Sequence, residues 1–295
     1  MNLSQSTSPI SALVVEGGAM RSVFSAGLLD GFLEKQFNPF DFSIGVSAGA
    51  YTLATYMAGQ AGLSLRIFRD IATSKDFISY SRFIRGGHLI DLDWLLREAD
   101  IHYHLAPEQI LHNGKPLYVS LTDVMSGEPV YIKATAELFT QIMKATMALP
   151  VLYRDFPVVA GIPMTDGGVA DGIPVAEAIR LGATRIMVIR SRHHDYRKHD
   201  TLWHKYIRWK LKAYPALQRT LQERVSRFET VINLIRHPPK GVDIIEVCPP
   251  DEFHLSRFGQ HFQKLQLGYD AGLQLAESII KRWSASGRQE FHRDG

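Results

Sequence analysis

The chain has 295 residues, of which 45% are hydrophobic and 21% charged, and its formal net charge is +3. These values are ordinary for a globular protein with one substantial core, alone or with an appended helical part. The single cysteine, Cys248, excludes an internal disulfide and is typical of a reducing compartment. We find no secretory leader in residues 1–10, which we expect to be flexible, and no apolar run of transmembrane length, so we expect a cytoplasmic protein.

The first predicted strand, Ala12–Val15, is a β-branched apolar run that leads into a glycine-rich turn. Apolar residues at helical spacing follow between residues 24 and 33. A phosphate-binding loop is one interpretation, but residues 17–22 match neither G-x-G-x-x-G nor the lysine-bearing P-loop. We favour a cradle of backbone N–H groups for an oxyanion, in which Arg21 fixes the loop or adds positive charge. The predicted oxyanion loop comprises Gly17, Gly18, Ala19, Met20 and Arg21.

The second predicted strand, Phe42–Val46, runs into the pentapeptide at residues 45–49, and a helix is predicted to follow over Ala48–Ala58. Strand, G-x-S-x-G and helix in this order are typical of a nucleophile elbow, which exposes the serine hydroxyl on a strained turn. Gly45 and Gly49 permit the unusual backbone angles and leave room beside the serine. The N-terminus of the helix adds N–H groups and a positive dipole end. We therefore predict that Ser47 is a nucleophile.

A carboxylate precedes two glycines at Asp166, Gly167 and Gly168, just after an apolar stretch. Such a turn is often only part of a hairpin, but together with the other two motifs it predicts Asp166 as the general base for Ser47. The alternative is a serine–histidine–aspartate triad, which chain order permits because several histidines follow Asp166. Against the triad, only two strands fit ahead of Ser47, and no histidine lies in a comparable loop signature.

These three motifs in this order resemble those of the patatin-like phospholipase family, which are G-G-G-x-R/K-G, G-x-S-x-G and D-G-G or D-G-A. The resemblance extends over residues 11–190, and it departs from the family pattern at Ala19 and Ser22, where the family has glycine. It implies a serine acyl hydrolase of the phospholipase A or lysophospholipase type, acting on lipid or other acyl esters through an acyl-enzyme. It also implies that Ser47 and Asp166 form a catalytic dyad.

Further apolar runs predict four more strands, and helical stretches lie between most of the predicted strands. The runs are Leu117–Leu121, Val130–Ile132, Arg185–Ile189 and Ile244–Val247. The alternation predicts an α/β fold, a three-layer α/β/α arrangement with a mostly parallel central sheet and extra C-terminal helices. The turn residues 123–128 predict one local hairpin.

The same pattern of predicted strands and helices, together with the charge along the chain, predicts the domain organisation. We expect residues 11–190 to form the catalytic core and residues 191–240 to form a basic helical segment. Residues 241–283 then add the last strand and a C-terminal helix, Phe262–Trp283, to the same domain. We expect residues 284–295 to be a disordered tail because they are polar.

Three other aspartates have structural interpretations. Asp171 begins a turn into a helix predicted over Val175–Leu181, with Pro174 near its first position. Asp91 and Asp93 alternate with apolar residues, where a helix cap is a better interpretation than a metal ligand. No group of histidine, cysteine and acidic residues has zinc or EF-hand spacing, so we expect no metal and no cofactor.

Residues 190–240 carry thirteen Lys or Arg and four Asp or Glu, a formal charge of +9. Apolar residues recur there at helical spacing, and Pro215 is predicted to divide the stretch into two helices. Helices packed on the sheet are one interpretation; peripheral contact of residues 196–236 with an anionic membrane is the other. No nucleic-acid recognition motif is present, and the sequence does not indicate an oligomeric state.

A rival to the enzyme comes from a different class of protein. A catalytically impaired lipid-binding or scaffolding protein would keep the fold, and Ala19 and Ser22 are the only residues in its favour. The intact Ser47, Asp166 and Arg21 favour the hydrolase.

Overall fold

Within the described part of the computed structural model, residues 9–103, 105, 107–112, 114–259 and 261–290, eight strands form one mixed sheet. The strands are β1 (Ser11–Val15), β2 (Phe42–Val46), β3 (Leu117–Asp123), β4 (Pro129–Lys133), β5 (Val158–Val159), β6 (Ile162–Asp166), β7 (Arg185–Ile189) and β8 (Asp243–Val247). The predictions of flexibility for residues 1–8 and of disorder for residues 291–295 concern parts of the chain outside the described residues.

Helices cover both faces of this sheet. The α-helices of the described residues are α1 (Val23–Glu34), α2 (Ala48–Met57), α3 (Leu63–Arg66), α4 (Tyr80–Ile84), α5 (Leu92–Tyr103), α6 (Pro107–Leu111), α7 (Phe139–Met147), α8 (Val175–Arg180), α9 (Leu202–Lys210), α10 (Pro215–Gln222), α11 (Arg224–Arg236) and α12 (Phe262–Glu290). A search of the described residues finds no helix with the length and apolar character needed to cross a bilayer. Shorter 3-10 turns lie at Ala19–Ser22 and Gly167–Val169, and a π-helical turn lies at Ile67–Ile71.

The sheet has the strand order β5-β6-β3-β2-β1-β7-β8, and β4 pairs with β3 off this path. Strands β3, β2, β1, β7 and β8 are parallel, whereas β4 and β6 run antiparallel to β3 and β5 runs antiparallel to β6. Every residue of β1 and β2 is buried. Strands covered on both faces need continuous apolar runs, which is why the sequence predicts them well. The predicted hairpin is confirmed as β3 and β4.

Alternate side chains of the central strands enter two different cores. Leu13 and Val15 contribute to the core beneath α1, α2, α7 and α12, whereas Ala12 and Val14 contribute to the core beneath α8 and α11. The period-2 geometry of a strand produces this division. The predicted three-layer α/β/α fold with a mostly parallel sheet is therefore confirmed.

The C-terminal helix α12 packs backbone-to-backbone against α1. A Cβ atom added to Gly27 would lie 1.9 Å from the carbonyl oxygen of Tyr269, and one added to Gly272 would lie 2.1 Å from that of Phe24. Only glycine permits such an approach. The far end of α12 is also anchored, because Trp283 is buried in the same core.

The structure differs from the sequence predictions at three places. Strands β5 and β6 were not predicted, because Ile162–Asp166 contains a proline and ends in polar residues instead of forming an apolar run. The basic segment forms three helices instead of two, since a turn at Glu223 directs α10 and α11 onto different core clusters. Residues 284–290 continue α12 instead of being disordered, and Arg185 Nη2 donates to Ser286 Oγ at 2.7 Å in this stretch.

Candidate active site

Ser47 occupies a strained turn between β2 and α2. Its backbone angles are φ 53° and ψ −134°, in a region that residues with a side chain rarely adopt. A Cβ on Gly45 would lie 2.4 Å from Cα of Ala50, and one on Gly49 would lie 2.7 Å from the carbonyl oxygen of Glu16. The two glycines of the pentapeptide therefore allow α2 to turn back tightly over the strand, as expected for a nucleophile elbow.

The topology of the sheet brings Ser47 and Asp166 together. Strand β4 occupies one edge of β3, so β2 and β6 must share the other edge, where they approach each other end to end. Val46 pairs with Ser120, and Asp166 pairs with the next residue, Leu121. As a result, Ser47 Oγ lies 2.8 Å from Asp166 Oδ2, in geometry that lets the hydroxyl donate to the carboxylate.

Asp166 is almost completely withdrawn from solvent, with 3% of its surface exposed. Its second oxygen, Oδ1, accepts the backbone N–H of Gly168 at 2.7 Å, so the glycine turn holds the carboxylate in place. Burial raises the pKa of Asp166 to about 6, while the hydrogen bonds from Ser47 and Gly168 and the charges of Arg257 and Lys198 partly oppose that rise. A carboxylate with this pKa is mostly ionised at neutral pH and is a stronger base than an exposed one.

Thr146 is a site residue that the sequence reasoning missed. Its hydroxyl accepts the backbone N–H of Ser47 at 2.8 Å and donates to the carbonyl oxygen of Ser120 at 2.7 Å, and the residue is fully buried. The hydroxyl therefore ties α7 to the strained turn and positions Ser47. The one available signal was that the resemblance continues through residues 145–150, which does not reveal a role for an individual hydroxyl.

The glycine-rich loop lies directly beside the serine. A Cβ on Gly17 would lie 3.0 Å from Ser47 Cβ, and one on Gly18 would lie 2.7 Å from Ser191 Cβ. Ala19, which replaces a family glycine, has φ 50°, a left-handed conformation that strains an alanine. The loop therefore keeps a glycine-like backbone without a third glycine. Ser22 is the other residue at which the chain departs from the family pattern. Its hydroxyl is buried and has no hydrogen-bond partner in the described residues.

Some backbone N–H groups of the predicted oxyanion loop already have a hydrogen-bond acceptor, and others have none among the described residues. Met20 N–H donates to the carbonyl oxygen of Arg257 at 3.3 Å, and Arg21 N–H donates to that of Gly18 at 3.2 Å. Neither N–H is free to hold an oxyanion, which corrects the prediction for these two residues. The N–H groups that have no acceptor among the described residues are those of Gly17, Gly18 and Ala19.

Arg21 supplies charge to the site. It is 4% exposed, and its Nε has no acceptor within the described part of the chain, so its guanidinium does not tie the loop together through this atom. Burial and then the charges of Arg257 and Arg192 lower its pKa to about 9. Of the two predicted roles, the geometry favours the addition of positive charge.

Two cavities of different character meet beside Ser47, and Ala19, Leu149 and Arg257 also line both of them. The first has an almost entirely apolar lining, and its side chains come from α2, α5, α7 and the π-helical turn. Its apolar lining includes Met20, Ile67, Phe68, Phe77, Ile78, Ile90, Leu92, Leu95, Met147 and Leu149. The second, the polar cavity, has polar and apolar groups in about equal measure, contains Asp166, and includes six basic side chains in its lining. An elongated molecule with an apolar end and a polar end fits this arrangement.

No histidine among the described residues forms a hydrogen bond with Ser47 or Asp166. His204 lines the polar cavity, but its Nδ1 lies 2.7 Å from the Thr201 hydroxyl. Burial and then the charge of Arg224 lower the pKa of His204 to about 4, so the ring is neutral at neutral pH. Within the described residues, Ser47 and Asp166 are therefore hydrogen-bonded to each other and not to a histidine.

Asp91 and Asp171 have the structural contacts expected of them, whereas the prediction of a helix cap was wrong for Asp93. Asp91 Oδ1 accepts the Trp94 N–H at 3.0 Å at the start of α5, as a helix cap does. Asp171 accepts the Ile173 N–H at 3.1 Å and the Tyr131 hydroxyl at 2.6 Å. Asp93 instead accepts the Tyr153 hydroxyl at 2.7 Å. A search of the described residues finds no group of three or more His, Cys, Asp or Glu that could hold a metal ion.

Comparisons with known proteins cover most of the chain. Residues 13–179 match the family model described as patatin-like phospholipase, and residues 214–286 match a domain of unknown function, DUF6363. The uncharacterized protein YjjU of Escherichia coli K12 is 32% identical over 265 residues, 88% of this chain and 74% of YjjU. The crystal structure of VipD from Legionella pneumophila aligns with a TM-score of 0.41 and 12% identity, covering 92% of this chain and 67% of that chain. The match over residues 13–179 shows that the chain belongs to the patatin-like phospholipase family.

Proposed function

We propose that the protein hydrolyses lipid acyl esters through a dyad in which Ser47 is the nucleophile and Asp166 is the general base. The observation that carries this proposal is the 2.8 Å distance between Ser47 Oγ and Asp166 Oδ2. Membership of the family supports an esterase or lipase type of hydrolysis, and the apolar cavity beside Ser47 suits an acyl chain.

The reaction takes place in two halves. Ser47 Oγ attacks the ester carbonyl carbon while Asp166 accepts the hydroxyl proton, and the N–H groups of Gly17, Gly18 and Ala19 stabilise the oxyanion. Asp166 then returns the proton to the departing alkoxide as the carbon–oxygen bond breaks, which leaves an acyl group on Ser47. In the second half Asp166 deprotonates a water that attacks this acyl-enzyme, and release of the fatty acid restores the serine.

Two observations weigh against the other predicted functions. The triad esterase lacks support because the described hydrogen bonds of Ser47 Oγ and Asp166 include no histidine. The impaired scaffolding protein lacks support because Ala19 adopts the positive φ that the loop needs despite its side chain. Catalysis needs oxyanion donors and a nucleophile–base pair, and the proposal is supported by candidates for both among the described residues.

We also propose that the outer face of α9 contacts the membrane that contains the substrate. Trp203 and Tyr206 are stacked with ring centroids 5.2 Å apart, and Tyr206 and Trp209 follow at 5.9 Å. All three rings are exposed, and Lys210 Nζ lies 4.9 Å from the Trp209 ring. Aromatic side chains flanked by lysine are favoured at an anionic membrane surface. Trp203 also lines the polar cavity, so this face adjoins the candidate site.

The nucleophile is tested with a fluorophosphonate probe and a soluble p-nitrophenyl ester. We expect the wild-type protein to be labelled and to hydrolyse the ester. Ser47→Ala should lose labelling and at least about a thousandfold of the turnover, because the proposed nucleophile, Ser47 Oγ, is removed. Ser43→Ala, a substitution in β2 away from the motif, is the control. Labelling that persists in Ser47→Ala would overturn the assignment.

A further inference from the structure

The polar cavity beside Ser47 is built by parts of the chain that are far apart in sequence. Six basic side chains line it, from the oxyanion loop, the segment after β7, α9, α11 and the segment before α12. They are Arg21, Arg192, Lys198, His204, Arg224 and Arg257. The excess charge of the basic segment, which the sequence left open between packing and membrane contact, is therefore partly directed into the candidate active site.

The acidic groups of the cavity do not balance these cations. Glu16 and Asp166 are the carboxylates among its described lining residues. Glu16 is already bound to the buried Arg190 at 3.0 Å and to the Ser191 N–H at 2.8 Å. Asp166 accepts from Ser47 and Gly168, as described above. Five Arg and Lys thus face two carboxylates, of which one is engaged elsewhere and the other belongs to the catalytic pair.

The cations have no carboxylate partners of their own. Within the described residues, no carboxylate oxygen lies within 4.0 Å of the nitrogens of any of the five Arg and Lys of the cavity. Arg224 is 9% exposed, and its guanidinium donates to the carbonyl oxygen of His199 at 2.8 Å. Arg21 Nε is buried without an acceptor. Of the other three cations, Arg192 and Lys198 are half-buried and Arg257 is exposed. Buried cations that lack counter-ions are costly, so a ligand that supplies negative charge would be favoured beside Arg21 and Arg224.

The cations line one cavity, and burial, together with their mutual repulsion, lowers the pKa of Lys198 and of Arg224. Burial and then the charge of Arg224 lower the pKa of Lys198 to about 8, with Arg257 contributing in the same direction. Burial and then Arg257 lower the pKa of Arg224 as well. A bound anion would relieve this repulsion, whereas an ammonium group would add to it.

We propose that this cavity binds the phosphate of a negatively charged glycerophospholipid head group, and that the enzyme prefers acyl esters with such a head group over those that carry an ammonium. The inference rests on the proposed function, because it assigns the apolar cavity to the acyl chain and places the ester carbonyl at Ser47. Guanidinium groups pair with phosphate oxygens through two parallel hydrogen bonds, which suits a cavity with four arginines.

The test compares short-chain lysophospholipids below their critical micelle concentration, so that membrane attraction plays no part. We expect kcat/KM for lysophosphatidylglycerol to exceed that for lysophosphatidylcholine of the same acyl chain by about tenfold or more. Lys198→Gln and Arg224→Gln should each reduce this ratio severalfold, and Arg224→Lys should retain most of it. The rates are measured near pH 7, where Asp166 is mostly ionised and Lys198 is mostly protonated. Lys198 also influences the pKa of Asp166, but a change in that pKa affects both substrates and cancels in the ratio.

Lys212→Gln/Lys240→Gln is the matched control, since both lysines are exposed in the basic segment outside α9 and neither lines the cavity. Its ratio should equal that of the wild type. A wild-type ratio near one, or an equal fall in the control, would overturn the proposal. Calorimetric binding of the same two lysolipids to Ser47→Ala needs no turnover, so it tests the cavity even if the hydrolase assignment fails; equal affinities there would also contradict the proposal.

Discussion

At the scale of single residues, the environment of Asp166 determines how the proposed site responds to pH. The carboxylate can accept the Ser47 proton only when it is ionised, and its pKa is raised to about 6. We therefore expect kcat/KM for a neutral soluble ester to rise as the pH passes through about 6 and to reach a plateau above about 7. Asp166→Asn should lose nearly all turnover at every pH, since no other described side chain accepts from Ser47 Oγ.

The raised pKa of Asp166 also predicts how the stability of the protein depends on pH. Because the pKa of Asp166 is raised on folding, the folded state holds the proton more tightly than the unfolded state between about pH 4 and 6. The wild-type free energy of unfolding should therefore fall relative to that of Asp166→Asn as the pH rises from 4 to 7, by at most about 3 kcal/mol. Urea titrations at both pH values measure this difference; a difference that grows with pH would contradict the pKa shift.

Site residues that lie in short motifs can be predicted from the sequence, whereas those positioned only by the fold cannot. Ser47 and Asp166 lie in short motifs with glycine at fixed offsets, and the structure places them within hydrogen-bond distance. Thr146 lies in no such motif, because its role depends on a hydroxyl presented from α7 across the sheet to Ser47 N–H. Lys198 was recognised only as part of a charge excess, since the fold alone determines that it faces the cavity.

At the scale of elements, α9 is the part of the basic segment with an unpartnered apolar face. The spaced apolar residues of the segment pack inward, and Ile207, Leu217 and Phe228 are buried. The packing interpretation therefore holds for most of that stripe. Leu202 and Trp209, in contrast, are 81% and 59% exposed on α9. The membrane prediction is accordingly narrowed from residues 196–236 to this helix.

Removing the exposed apolar side chains of α9 should weaken membrane binding. Leu202→Ser/Trp209→Ser removes two side chains whose burial contributes about 1.5–3 kcal/mol each, so we expect sedimentation with anionic vesicles to weaken by about tenfold or more. Arg208 is left intact because it pairs with Asp200 at 2.8 Å.

The matched control for α9 is Ile84→Ser, which removes a side chain that is 84% exposed on α4. This variant should bind vesicles like the wild type. Hydrolysis of a soluble ester by the α9 variant reports that its site is intact. Equal vesicle binding by the α9 variant and the wild type would refute the proposed contact.

At the scale of the whole molecule, the sequence predicted the strands that are apolar runs, including β8 at one edge of the sheet, and missed β5 and β6 at the other end. β1, β2 and β7 are apolar runs, since both core clusters demand apolar side chains there. β6 ends in the polar residues Thr165 and Asp166. Its last residue, Asp166, forms a hydrogen bond with Ser47 in the candidate site instead of packing in the core. Its local sequence therefore carries a weak strand signal, and pairing with β3 determines its structure.

The two parts of the chain that match different family models are joined through α1 and α12. The segment before α12 carries Arg257, whose carbonyl oxygen accepts the N–H of Met20 in the oxyanion loop. Strand β8 adds the C-terminal part to the same sheet through β7. We therefore expect the described chain to unfold in one cooperative transition, with the packing of α12 contributing to the stability of the catalytic part.

Substitution at the contact between these helices tests that expectation. Gly272→Ala places a Cβ 2.1 Å from the carbonyl oxygen of Phe24, so α12 must move away from α1. Alanine favours a helix by about 1 kcal/mol over glycine, but overpacking at a backbone contact costs about 1–3 kcal/mol and exposes part of the core. We expect a net loss in the free energy of unfolding and a single transition at lower urea concentration. Gln274→Ala, on the exposed face of the same helix, should leave stability unchanged or slightly raised. Two separate transitions, or a Gly272→Ala protein more stable than the wild type, would show that α12 is not coupled to the catalytic core in this way.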